Sequence, residues 1–239
     1  MDRLAPTRRP PGRPVGYQRW RELLFLHWTV PAATLRPLVP RRLAIDEYEG
    51  QAFVGLVPFR MEGVRQAWMP ERAALDFLET NVRTYVHLDG EHPGVYFFSL
   101  DAASRLAVWV ARAAWALPYF FARMEMTLGE GGTEYRLERR SGTRPGLHVR
   151  YRPGEPLGPS APGSLEFFLL ERYFLYAERG GLLRGQVHHM PYPAQRASVV
   201  ELHEDLIASA GLSHPDTAPL AHYAPGVDVE IFPLVRVPG

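Results

Sequence analysis

Residues 76–90, DFLETNVRTYVHLDG, predict a β-strand with two unlike faces. Side chains along a strand alternate between its faces, so every second residue shares one surface. One set is apolar or β-branched: Val82, Thr84, Val86 and Leu88. The other set carries polar groups: Glu79, Asn81, Arg83 and Tyr85. The stretch therefore predicts one face packed against a core and one polar face turned either to solvent or into an enclosed site.

The polar face has more than one explanation. A solvated face is common in antiparallel sheets, but it usually carries a mixture of Lys, Glu and Thr that this strand lacks. In a closed barrel the same face points into an interior that can hold a ligand. There Arg83 would either pair with Glu79 or bind a ligand carboxylate through two parallel hydrogen bonds.

Composition excludes several kinds of chemistry. The chain has 239 residues, 46% of them apolar and 12% aromatic, which is enough for a substantial core. It contains no cysteine, so disulfides, thiolate metal sites and a cysteine nucleophile are excluded. All 27 basic residues are arginine, which leaves no lysine for a Schiff base or a P-loop. The net charge of +1 gives no reason to expect a nucleic-acid partner.

Two segments bear on location and domain organisation. Residues 1–16 lack the apolar core of a signal peptide, and their Pro, Arg and Gly content predicts a flexible tail. The longest apolar stretch, residues 106–122, is broken by Arg112 and Pro118, so we expect neither a membrane span nor a membrane partner. Residues 17–239 contain no linker-like interior and are predicted to form a single β-barrel domain of a cytoplasmic protein.

The order of predicted elements indicates the fold class. Residues 43–61 and 76–102 each predict a hairpin of two strands. Helices are predicted over residues 104–117, 164–181 and 201–212. Strand pairs with helices inserted between them, without regular strand–helix alternation, predict an α+β domain that is mainly β. The expected architecture is an antiparallel barrel or closed sandwich with a few packed helices.

Other residues add candidates for a site. Arg112 and Arg172, on the predicted helices, are either solvated, structurally paired or in contact with a ligand. His189 either packs or acts as an acid–base group, because histidine titrates near neutral pH. His27 and Ser99 lie in apolar stretches and are candidate ligand contacts. No metal-binding or dinucleotide-binding motif is present, so we predict neither a metal site nor a cofactor.

Ordered sequence blocks resemble those of a known family. The blocks are LLFLHWTVP, LRPLVP, FVGLVPFRM, FLETNVRTYV, GVYFFSLDA, ARAAWALPYFFARM, LLERYFLY and HHMPYP. They are similar, in this order, to the conserved blocks of the uncharacterised YqjF-like family over residues 18–232. That family is grouped by fold with acetoacetate decarboxylase. The resemblance therefore implies a cone-shaped antiparallel β-barrel with helices packed around it and a central cavity.

The same resemblance matches two residues to decarboxylase positions and also shows a departure. Acetoacetate decarboxylases carry Pro-Lys-Lys after a helix, and the first Lys forms the Schiff base. By motif order Pro118 matches the proline, and Tyr119 stands where that lysine would be. Glu79 is the position matched to a glutamate on a cavity strand. Because the chain has no lysine, the resemblance supplies a fold and a pocket but not amine-catalysed decarboxylation, and the YqjF-like family itself supplies no reaction.

These observations lead to one main functional hypothesis. We expect a cavity protein that binds a small, partly apolar molecule with a carboxylate or carbonyl group; whether it is also an enzyme stays open. Arg83 would hold the anionic end, and Asn81 would donate to an oxygen. Glu79 would act as a base or orient Arg83, while Tyr119 and Tyr85 would serve as donors or acids.

Two alternatives remain. In the first, Glu79, Asn81 and Arg83 form a satisfied buried network in a non-catalytic sensor or interaction module. In the second, the protein is a hydrolase that uses Ser99 or a histidine-activated water, although Ser99 lacks a nucleophile-elbow motif. A homo-oligomer is compatible with each hypothesis.

Overall fold

The structure is a computed structural model that describes residues 1–106, 108–109, 117–140 and 142–238. In these residues the chain is built mainly from β-strands. They are β1 (Gly16–Val30), β2 (Leu43–Ile45), β3 (Ala52–Gln66), β4 (Leu75–Leu88), β5 (Glu91–Ala102), β6 (Tyr119–Gly129), β7 (Gly132–Arg139), β8 (Gly146–Pro156), β9 (Phe174–Glu178), β10 (Leu182–His188), β11 (Gln195–Glu204), β12 (Leu220–Ile231) and β13 (Val235–Arg236). The described α-helices are short: α1 (Ala32–Leu35), α2 (Leu165–Leu170) and α3 (Leu206–Ser209).

The described strands belong to one 13-stranded sheet, in the order β13-β10-β9-β5-β6-β7-β8-β11-β12-β1-β3-β4-β2. Because β4 pairs with β5 as well as with β3, the path through neighbouring strands from β5 by way of β8 and β1 returns to β5. Among the described strand pairs, β5–β6 and β5–β9 are parallel and the others are antiparallel. The predicted class, mainly β and largely antiparallel with a few helices, is confirmed.

Strand β4 covers residues 76–88 of the stretch 76–90, and its central residues are buried on both faces. Val82 packs in one hydrophobic core and Tyr85 in another. Each residue from 79 to 86 is buried. Glu79 is only 3% exposed and Arg83 only 8% exposed, so the polar face of the strand is not a solvated surface.

The predicted hairpin over residues 43–61 is wrong. β2 pairs with β4, and β3 lies between β1 and β4. Between the two predicted strands the structure shows one isolated β-bridge, which joins Tyr48 and Gln51. Residues 52–59 of β3 are all buried, and such an apolar run indicates a strand covered on both faces without indicating which strands pair with it.

The predicted helix over residues 164–181 is confirmed at its start and is wrong beyond Leu170. Ser164 caps α2 by accepting a hydrogen bond from the Phe167 N–H, but α2 ends at Leu170 and the chain continues as β9 and β10. Gly180 and Gly181, with φ of 60° and 133°, form the turn between these strands rather than a helix stop. An apolar run fits a buried strand as well as a buried helix, and this ambiguity produced the error.

Two further helix predictions have different outcomes. The helix predicted over residues 201–212 is mostly absent, because β11 continues to Glu204 and only α3 is helical. Most of the helix predicted over residues 104–117, together with Arg112, lies outside the described residues.

The N-terminal segment lies against the sheet. Arg3 bonds both carboxylate oxygens of the buried Asp46, and Arg9 forms an ion pair with Glu230. The flexibility of this tail and the single-domain organisation stay predictions.

Candidate functional site

A cavity of about 290 Å³ lies against the polar face of β4. Glu79 and Arg83 reach it from β4, and Tyr119 reaches it from the first position of β6. Most of the remaining wall is apolar, including Trp20, Met61, Phe77, Phe97, Leu100 and Leu117. A concave, mainly apolar site with a few convergent polar groups is typical of small-molecule binding.

The cavity has an open side. Arg65, Gln66 and Met69, which line it at the end of β3 and in the loop that follows, are partly exposed. Leu106 also lines it and is 57% exposed. These four side chains mark the side of the cavity that lies nearest to solvent among the described residues.

Glu79 and Tyr119 form the first polar group in the cavity. The Tyr119 hydroxyl donates to Glu79 Oε2 at 2.8 Å. Burial raises the pKa of Glu79 to about 8; the hydrogen bond from Tyr119 opposes this rise, and repulsion from Asp101 adds to it. Burial also raises the pKa of Tyr119 well above its usual value. The raised pKa values favour the uncharged forms of both groups at neutral pH.

The backbone beneath Glu79 is held by a separate buried tyrosine. Tyr135 donates to the Glu79 carbonyl oxygen at 3.1 Å, and its hydroxyl accepts from the Thr80 hydroxyl at 2.9 Å. Asp101 and Arg139 lie nearby as a bidentate buried ion pair, with both contacts at 2.7 Å. These contacts fix β4 and β5 where the carboxyl enters the cavity.

Arg83 forms the second polar group. One of its terminal nitrogens, Nη2, donates to the Leu169 carbonyl oxygen at 3.2 Å, and the guanidinium lies 5.6 Å from the centre of the Phe25 ring. Its Nε is buried without a partner among the described residues. No described Asp or Glu forms an ion pair with Arg83, so the predicted contact with Glu79 is absent. A Cβ on Gly55 would lie 3.1 Å from the His27 ring and 3.4 Å from the Arg83 side chain, so the missing side chain of Gly55 leaves room mainly for His27.

His27 and Tyr85 lie behind Arg83 and do not line the cavity. The Tyr85 hydroxyl lies 2.6 Å from His27 Nε2 and donates to the Leu169 carbonyl oxygen at 2.8 Å. Burial and the positive charge of Arg83 hold the pKa of His27 well below its usual value. The imidazole is therefore neutral, and these two residues support Arg83 rather than neutralise it.

Arg172 is a second buried arginine at the cavity, and Asp46 compensates its charge. Its Nη1 lies 2.7 Å from Asp46 Oδ2, and its Nε donates to the Phe168 carbonyl oxygen at 2.6 Å. Burial lowers the pKa of Arg172 to about 10, and the negative charge of Asp46 opposes that shift. The sequence singled out Arg172 but did not indicate Asp46 as its partner.

Three other predicted site residues, Asn81, Ser99 and His189, do not line the cavity. Asn81 and Ser99 are buried, and neither Asn81 Oδ1 nor the Ser99 hydroxyl has a hydrogen-bond partner among the described residues. His189 donates from Nδ1 to the Met190 carbonyl oxygen and stacks on Tyr173 at 4.5 Å. Burial lowers the pKa of His189 to about 4. Arg112 lies outside the described residues, so its prediction stays open.

Sequence reasoning missed part of the tyrosine-rich wall. Tyr173 and Tyr192 line the cavity, and both are tied to Glu171: the Tyr173 hydroxyl donates to its Oε2 at 2.6 Å and the Tyr192 N–H donates to its Oε1 at 3.0 Å. Burial raises the pKa of Glu171. Tyr192 stands in the block HHMPYP, so the resemblance was the signal that could have indicated it.

Two further features are absent from the described part of the chain. No three His, Asp or Glu side chains there are arranged to hold a metal ion. No described helix is long and apolar enough to cross a membrane.

Solved structures with a similar fold include acetoacetate decarboxylases and an acetoacetate decarboxylase-like enzyme. The acetoacetate decarboxylase from Legionella pneumophila superposes with a TM-score of 0.64 at 14% identity, covering 100% of this chain and 96% of that one. An acetoacetate decarboxylase-like enzyme from Sphingomonas wittichii RW1 gives a TM-score of 0.59 at 11% identity, with coverages of 95% and 94%. The enduracididine biosynthesis enzyme MppR, complexed with pyruvate, gives 0.62 at 12% identity, with coverages of 93% and 90%. At these identities the likeness shows the fold alone.

The sequence itself places the chain in a family. The family model of uncharacterized conserved proteins called DUF2071 matches residues 17–228, and the chain belongs to that family. The uncharacterized protein YqjF of Bacillus subtilis (strain 168) is 39% identical over 228 residues, which cover 94% of this chain and 93% of that protein. The predicted resemblance to the YqjF-like family and to the acetoacetate decarboxylase fold is confirmed.

Proposed function

We propose that this protein binds a small carboxylic acid that also bears a carbonyl group, and that Arg83 binds the carboxylate. The observation that carries the proposal is the buried Arg83 guanidinium, which lines an apolar cavity and has no ion-pair partner among the described carboxylates. A buried charge without a partner costs several kcal/mol. A ligand carboxylate would supply the missing charge and accept two parallel hydrogen bonds.

Glu79 and Tyr119 support the second half of the proposal. An uncharged Glu79 in the cavity can donate a hydrogen bond to a ligand carbonyl, whereas an ionised carboxylate would repel it. The structural neighbour MppR is described as complexed with pyruvate, a molecule with both groups. In this proposal the closed path of strands forms a cone-shaped barrel wall around the ligand.

The proposal leaves the reaction unassigned. If the protein is an enzyme, Glu79 serves as its proton donor, because the raised pKa keeps the proton on that carboxyl near neutral pH. No lysine is present to form a Schiff base. No described hydrogen bond joins Ser99 to a histidine, so no observation favours the hydrolase hypothesis. A cytoplasmic location and a homo-oligomeric state stay predictions.

A thermal-shift series tests the proposal. Pyruvate, 2-oxobutanoate, acetoacetate and 4-oxopentanoate are titrated into the wild type and into Arg83→Met. A ligand at ten times its Kd stabilises by about 1.4 kcal/mol, which corresponds to about 3–6 °C for a chain of this size. We expect at least one acid to raise the Tm of the wild type by this amount. Arg83→Met should lose at least about 30-fold in affinity, because it removes the charged partner.

Arg65→Met is the matched control. Arg65 lines the same cavity at its open side and stacks over Tyr17 at 4.6 Å, but it is partly exposed. We expect its loss to change affinity by less than about threefold, because exposed charges are screened by water. Absence of any shift in the wild type, or equal shifts in wild type and Arg83→Met, would contradict the proposal.

A further inference from the structure

The polar groups of the cavity stand at two separate ends. Glu79 and Arg83 are four positions apart on β4, so their Cα atoms are roughly 13 Å apart at the usual strand rise. They point to the same face, and no ion pair joins them. This spacing favours an elongated ligand if one molecule contacts both side chains.

The wall between these ends is apolar. In the register of β4 with β5, Arg83 pairs with Phe97 and Glu79 with Ala102, so Leu100 lies between the two polar ends. The side chains of Phe97 and Leu100 both line the cavity. A polar group in the middle of the ligand would find no hydrogen-bond partner on this wall, which favours a hydrocarbon middle.

The cavity volume limits the number of ligand atoms that the cavity can enclose. A dry apolar cavity of about 150 Å³ accommodates benzene, which has six non-hydrogen atoms. The cavity of this protein measures about 290 Å³, so it has room for about twelve such atoms by the same ratio. Pyruvate has six and would fill about half of the space.

Resting on the proposed function, we infer that the ligand is an elongated monocarboxylic acid with about ten to twelve non-hydrogen atoms, an apolar middle and a carbonyl oxygen at its far end. Arg83 holds the carboxylate, Phe97 and Leu100 contact the middle, and Glu79 donates to the distal oxygen. Short keto acids then bind the same site more weakly, because they reach only one polar end and leave apolar wall unfilled.

Isothermal titration with a homologous series tests this length preference. Methyl-ketone acids from pyruvate to 10-oxoundecanoate are compared, each with the straight-chain acid that lacks the ketone. We expect Kd to fall by about fourfold per added methylene group up to ten to twelve non-hydrogen atoms, and to rise beyond that length. At the best length the ketone should bind more tightly than the matched alkanoate, and Glu79→Leu should remove that difference.

Two substitutions in the cavity wall test the preferred ligand length, and they are expected to shift it in opposite directions. Leu100→Phe narrows the middle of the cavity and should shift the best ligand to an acid shorter by about two carbons. Phe97→Leu enlarges the cavity and should shift the best ligand to a longer acid. If one variant does not fold, the other still gives a shift of known sign. Unchanged optima in both folded variants would overturn the inference.

The outcomes separate this inference from the proposed function. If pyruvate binds as tightly as every longer acid, the elongated ligand is wrong while carboxylate binding by Arg83 stands. If no acid of any length binds, both are wrong. If long alkanoates bind equally well to wild type and Glu79→Leu and the ketone brings no gain, the distal carbonyl is wrong.

Discussion

Two buried arginines contact the same cavity in different electrostatic settings. Arg172 is 7% exposed and pairs with Asp46, which also bonds Arg3. Arg83 is 8% exposed, yet its described contacts are a backbone carbonyl, the Tyr85 hydroxyl and aromatic rings. The same residue type at the same depth has a carboxylate partner in one place and none among the described residues in the other.

The difference indicates which arginine is structural and which is free to bind. Although burial raises the pKa of Asp46, its bonds to Arg3 and Arg172 bring that pKa below the usual value. Asp46 is therefore ionised at neutral pH and belongs to the architecture. Arg83 gains no comparable partner from the described residues, so a ligand carboxylate would gain most by binding there.

The largest expected effect comes from removing the carboxylate of Asp46, which pairs with Arg172. Asp46→Asn leaves Arg172 buried without its counter-charge, and we expect it to lower the free energy of unfolding by about 3–5 kcal/mol. Urea denaturation at pH 7 measures this loss. The isosteric change keeps the packing intact, so the loss reports the charge.

Asp228→Asn is the matched control for that variant. Asp228 also pairs with an arginine, Arg21, but its side chain is 77% exposed. We expect a loss of at most about 1 kcal/mol, because exposed pairs contribute little. Equal losses in the two variants would show that the burial of Asp46 has no energetic consequence, and the comparison of the two cavity arginines would fail.

The next effect concerns pH and the other end of the cavity. Glu79 has a pKa of about 8 in the folded protein and a usual value of 4.5, so the folded state holds a proton that the unfolded state releases above pH 4.5. Its stabilising contribution is complete below pH 4.5 and is lost as the pH rises through 8. Between pH 5 and 7.5 the wild type should lose about 3 kcal/mol relative to Glu79→Gln.

Urea denaturation of both proteins at the two pH values measures this difference. The other titrating groups are common to the two proteins and cancel in the comparison. The result bears on Arg83, because an ionised Glu79 would put a negative charge in the same cavity. Parallel pH dependences would show that Glu79 titrates normally and would weaken the view of Arg83 as an uncompensated cation.

Much of the fold could be predicted from the sequence, because the patterns that indicate it are either local or extend over the whole chain. The alternation in β4 follows from the period of two in a strand, and the pairing of β4 with β5 across the turn at Gly90 is a contact between neighbours in sequence. The helix prediction for residues 164–181 failed beyond Leu170, because a run of apolar residues indicates burial but not backbone conformation.

The site was predictable to a smaller extent. The polar face of β4 identified Glu79 and Arg83, since their spacing puts them on one surface. The partner of Arg172 could not be found in this way, because Asp46 lies 126 positions away in the chain and the two meet only through the sheet. Which of the two arginines has a carboxylate partner is thus determined by the tertiary structure.

The smallest expected effect is on stability when Arg83 itself is changed. Arg83→Met removes a desolvated cation and keeps an unbranched side chain of similar reach, so the free energy of unfolding should stay within about 1 kcal/mol of the wild type, or rise. Arg172→Met, measured in parallel by urea denaturation, should lose more, because Asp46 then keeps only Arg3. A loss of 3 kcal/mol or more in Arg83→Met, with unchanged response to every acid, would instead support a buried network that stabilises the fold, since Arg83 would then be needed for folding and not for binding.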